Sequence, residues 1–110
     1  MAGISSEELG RRRFQVLRDK AAEDALEKIR KSMAGRGRQL TSEESATIRD
    51  VLREIWSGID QHAWEKFSFT KLSEDDIRST VLMGKGGGDR AASVREMADT
   101  LKNILIGKME

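Results

Sequence analysis

"TSEESATIRDVLREIWSGIDQHAWEKF", residues 41–67, is the stretch on which the fold turns. Ile48, Val51, Leu52, Ile55, Ile59 and Ala63 recur at three- and four-residue spacing, which gathers them on one face of an α-helix. Thr41, followed three residues later by Glu44, has the form of a capping box, in which each side chain satisfies a backbone N–H of the other residue. Gly58 weakens the pattern, but nothing compels a break, so the spacing predicts one helix over about residues 42–67. On that helix Trp56 flanks the apolar face. Trp64 falls among Arg53, Ser57 and Asp60, on the opposite side.

The preceding residues repeat the design. Ser5 and Glu8 form a second capping box, with Ile4 and Leu9 at the positions of a hydrophobic staple. Phe14, Leu17, Ala21, Ala25, Ile29 and Met33 continue as an apolar stripe, with Ala22 and Leu26 beside it. The helix should run over about 5–34 and stop at Gly35-Arg36-Gly37. Ser73 with Asp76 opens a short helix over 74–83, and Ser93 with Glu96 opens a last one over 94–108. In the last, Val94, Met97, Ala98, Leu101, Ile104 and Leu105 face inward. Between residues 67 and 73, "FSFTK" reads as an extended connector with Phe69 tucked in.

The expected fold is therefore all-α: a hairpin of two long helices (5–67) and two shorter ones, in a single helical domain spanning 1–110. At 1.5 Å per residue each long helix would reach about 40 Å, beyond the roughly 30 Å breadth of a compact domain this size. Rods that overhang their own domain need something to lie against, and a bundle completed by a second copy as a homodimer meets that need.

Composition agrees. Hydrophobic residues make up 37% and charged residues 35%, a thin apolar content that suits amphipathic helices sharing a core. Proline is absent, so no helix interior is interrupted. Cysteine is absent too, which removes disulfides, thiolate nucleophiles and cysteine-bound zinc. No apolar run approaches a membrane span and no apolar leader opens the chain, so no membrane partner and a cytoplasmic location are expected. Residues 1–38 carry ten basic and six acidic side chains, and residues 39–80 carry five basic and nine acidic. A basic front and an acidic middle can attract each other within one chain or between two.

Chemistry-bearing patterns are weak. "MGKGGGDR" (83–90) has its lysine ahead of the glycines and no strand leading in, unlike a phosphate-binding loop. Three consecutive glycines suit a flexible linker over 84–89. His62 is the only histidine, at the edge of the apolar face, without the neighbours of a phosphotransfer site or a nucleophile to serve. Its single His-x-x-Glu spacing, to Glu65, is unpaired, whereas a di-metal bundle needs two Glu-x-x-His motifs. Glu74-Asp75-Asp76 is the acidic first turn that a helix dipole favours. No catalytic, cofactor or metal site follows from these patterns.

Two function classes remain. The first is a non-enzymatic helical regulator or adaptor that binds a protein partner through side chains left off the packed faces, namely Leu9, Val16 and Trp64. The second is a nucleic-acid-binding accessory protein using Arg11, Arg12 and Arg13 with Arg36 and Arg38. Consecutive helical arginines point about 100° apart and fan around the helix, which disfavours the second.

Overall fold

The computed structural model describes residue 3, residues 5–84 and residues 89–109, and every described element is helical. Helix α1 spans Ser6–Gly35, α2 Ser42–Gly58 and α3 Gln61–Lys66. A 3-10 turn covers Phe69–Lys71, then α4 spans Glu74–Met83 and α5 Arg90–Lys108.

Most helix ends obey the expected caps. The Ser5 hydroxyl accepts from the Glu8 N–H at 3.1 Å, although the Glu8 carboxylate turns to Arg12 instead of closing the box. Thr41–Glu44 and Ser73–Asp76 each form both arms. Helix α1 ends in a Schellman motif: the Arg38 N–H donates to the Met33 carbonyl and the Gly37 N–H to the Ala34 carbonyl. Gly37 occupies the left-handed position with φ +78°, where a side chain would be strained. The staple expected at Ile4 lies outside the described residues.

The second long helix does not form as one piece. It stops at Gly58, Ile59 adopts an extended conformation (φ −130°, ψ 163°), and the Asp60 carboxylate accepts from the Ala63 N–H at 2.8 Å. Glycine is a poor helix former, and a competent N-cap two residues later supplies the backbone partner that a restarted helix needs. The expected extended connector is also partly helical, since Phe69–Lys71 form the 3-10 turn, with Phe69 buried as anticipated. Helix α5 starts a turn early at Arg90, capped by Asp89 onto the Ala91 N–H, and Ser93 lies inside it. Most of the expected 84–89 linker, residues 85–88, lies outside the described residues. Its first glycine has a packing role, because a Cβ on Gly84 would come within 2.6 Å of the buried Met97 side chain.

The helices enclose one hydrophobic cluster. Arg53 meets Asp19 at 3.1 Å and Arg49 meets Glu23, so numbers rise on α2 as they fall on α1 and the two are antiparallel. Helix α5 packs on α2, with Arg90 on Asp50 at 2.7 Å, and on α4, where Lys108 reaches Asp76 at 3.2 Å. Ala22, Leu26, Ile29 and Met33 of α1, Ile48, Leu52 and Ile55 of α2, and Leu101 and Leu105 of α5 are buried together with Phe69, Leu72 and Ile77. Thr80 is fully buried, its hydroxyl satisfied by the Asp76 carbonyl at 2.9 Å.

The core face of α1 is not the expected stripe. Phe14 and Leu17 are 43% and 58% exposed, and burial begins at Ala22. Steps of four residues advance 400°, so a run 17, 21, 25, 29, 33 drifts about 40° per step around the helix. By Leu17 it has left the side that Ile29 and Met33 bury. The fold is accordingly elongated, 54 × 32 × 26 Å, with a radius of gyration of 15.2 Å where about 13 Å is usual for this length.

Candidate functional site

The free surface lies on the N-terminal half of α1, and the break at Gly58 sets part of it. With α2 only 17 residues long, the antiparallel pairing places its end level with about residue 14 of α1. Helix α1, 30 residues and about 45 Å long, continues past that point as an arm. Leu9, Phe14, Val16 and Leu17 are 42%, 43%, 66% and 58% exposed on this half of the helix. Phe14 makes a tilted ring pair with Trp56 at 5.1 Å. Leu9 and Val16, expected off the packed face, are off it.

Trp64 is placed differently from expectation. Restarting the helix at Asp60 turns the indole inward, where it is half-buried against the core. Its ring lies 4.9 Å from Phe69 and 6.3 Å from Phe67, and Phe67 stands edge-on to Phe69 at 6.1 Å. Its own chain covers most of it. The remaining edge joins Trp56, Leu17, Ala21 and Phe69 around an open groove of about 300 Å³ between α1 and α3. Lys20, Asp24, Lys28 and Glu65 border that groove. Trp64 and Leu17 thus share one surface, and Leu9 and Val16 extend it along the arm. The tryptophan's orientation was hidden by the assumed continuity of the helix. Ile59 and Trp64, at the staple positions around an Asp60 cap, were the available signal.

The five arginines separate into two groups. Arg11, Arg12 and Arg13 are exposed on the arm. Arg36 is held at the other end of α1, donating to the Leu72 carbonyl at 3.0 Å and the Thr70 carbonyl at 2.9 Å. Ser32 donates to the same Thr70 carbonyl at 2.8 Å, so the pair fastens the 3-10 turn to α1. Arg38 pairs with Glu74 at 2.9 Å. Some 24 residues of helix, about 36 Å, divide the two groups.

The remaining polar groups are structural in their contacts. Burial pushes the Asp76 carboxyl upward, but the Ser73 N–H and hydroxyl and the Lys108 ammonium outweigh it and hold the group below the usual aspartate value. Asp76 thereby ties the α4 cap to the end of α5. His62 is exposed on α3. Among the described residues, no three His, Asp or Glu side chains gather closely enough to hold a metal ion, and no helix is long and apolar enough to cross a membrane. Comparison of the chain with protein-family models, with curated proteins and with solved structures finds no match.

Proposed function

We propose that the chain is a non-enzymatic helical adaptor or regulator that works by protein–protein contact and assembles as a homodimer. The observation that carries this reading is the N-terminal half of α1, where four large apolar side chains, Leu9, Phe14, Val16 and Leu17, stand 42–66% exposed on a single helix. Covering a half-exposed side chain of this size contributes about 1 kcal/mol, from about 25 cal/mol per Å². Two-fold symmetry doubles every such contact, so a modest patch sustains an interface. The groove beside Trp64 enlarges the apolar area on the same side of the molecule.

Sedimentation of the full chain at micromolar concentration should give about twice the 12.3 kDa chain mass. Val16→Glu should shift it toward monomer without loss of helicity, since Val16 is 66% exposed and makes no core contact. A clean monomer for the unmodified chain removes the homodimer. The nucleic-acid alternative is left with Arg11, Arg12 and Arg13, of which Arg12 already pairs with Glu8, once Arg36 and Arg38 are engaged within the chain. It would require a complex at about 50 mM salt that dissolves as salt rises.

A further inference from the structure

The middle of helix α1 is segregated by charge, between Glu7 and Glu8 at its start and Lys28, Arg30 and Lys31 near its end. Residues 9–20 hold Arg11, Arg12, Arg13, Arg18 and Lys20 against the single Asp19, and residues 22–27 hold Glu23, Asp24 and Glu27 with no basic residue. A basic block followed by an acidic block is complementary to a copy of itself only when the two helices run antiparallel. The side of α1 turned away from α2 carries Leu9, Arg13, Val16, Leu17, Lys20 and Asp24 at the three-four spacing of a helix–helix seam, and all six are exposed or half-exposed. Gly10 lies at the edge of this seam with nothing within 4 Å of where a Cβ would stand, so a neighbouring backbone can approach closely there. The ion pairs of α1 engage Glu8, Asp19, Glu23 and Glu27, which leaves Arg13 and Asp24 without an ionic partner among the described residues.

Resting on the homodimer reading above, we infer that the occupant of this face is α1 of a second copy, laid antiparallel with the two-fold axis near residues 18–19. In that register Arg13 of each copy meets Asp24 of the other. The arginines at 11–13 run beside the partner's acidic block at residues 23–27. Val16 and Leu17 of both copies meet at the centre, under the aliphatic stems of Lys20. A register slid so that residues 11–13 of the two copies meet would bring the arginine blocks together, so like-charge repulsion selects against it.

The test is a charge swap, read by sedimentation in low salt with helicity followed by circular dichroism. Arg13→Asp alone, or Asp24→Arg alone, places like charges together twice and should raise the dimer dissociation constant at least about tenfold. Each variant should stay folded, because both positions are exposed. Mixing the two variants restores both pairs, so a heterodimer should form with near-original affinity. The double variant in one chain should recover the homodimer. If the unmodified chain is dimeric but mixing fails to rescue, this register is wrong and the homodimer stands on another face. If the unmodified chain is monomeric, the register and the homodimer reading fall together.

Discussion

Phe69→Ala should destabilise the protein by about 3–5 kcal/mol, the usual range for truncating a buried phenylalanine. The ring is 4% exposed and is the centre of the Trp64–Phe67–Phe69 cluster. The loss belongs at the upper end of that range because the site cannot readily collapse. Arg36 and Ser32 hold the carbonyls of Thr70 and Leu72, so the 3-10 turn stays anchored to α1 while its plug is gone. Trp64 loses its nearest ring neighbour, and its fluorescence should change in the native state. Urea denaturation at a fixed protein concentration gives the magnitude, since dimerisation would make stability concentration-dependent. A loss below about 1 kcal/mol would mean that the turn decorates the core without closing it. Phe69→Leu, which keeps most of the volume, should cost less than about 1.5 kcal/mol.

Leu101→Ala is the second large effect, at about 2–5 kcal/mol. Leu101 is fully buried on the face of α5 that lies against α2 and α4, so truncation opens a cavity where three helices meet. Ile106 on the same helix is the internal control: it is 49% exposed, and Ile106→Ala should stay within about 0.5 kcal/mol. Equal losses at the two positions would show that the buried face of α5 is assigned wrongly. Helix propensity contributes only a few tenths of a kcal/mol to the contrast, since leucine and isoleucine differ by about that much relative to alanine.

Legibility in the sequence followed the range of the interaction. The ends of α1 and the starts of α2 and α4 were readable, because caps and Schellman turns are satisfied within a few residues. The inward face of α5 followed its three-four spacing: Met97, Ala98, Leu101 and Leu105 are buried, and Val94 and Ile104 are partly so. The break after Gly58 was not legible because two local solutions compete there. Residues 42–67 carry an unbroken apolar period, and Asp60 carries a second cap. Once the helix restarts, the cap is satisfied and Trp64 reaches Phe69.

The arm of α1 shows the same division at longer range. By itself the sequence determined that the chain is all-helical, where most of its helices begin and end, and which side chains are apolar on each. It also determined the basic and acidic blocks of α1, which are a matter of order along the chain. Only the tertiary structure decided which apolar residues are core. Leu17 and Ile29 have similar chemistry and both belong to the expected stripe, yet one is 58% exposed and the other fully buried. The difference comes from the 40° drift of four-residue steps, which turns Leu17 away from the side that Ile29 and Met33 bury and onto the open groove beside Trp64. Burial depends on what lies opposite a side chain, and no property of the side chain itself contains that.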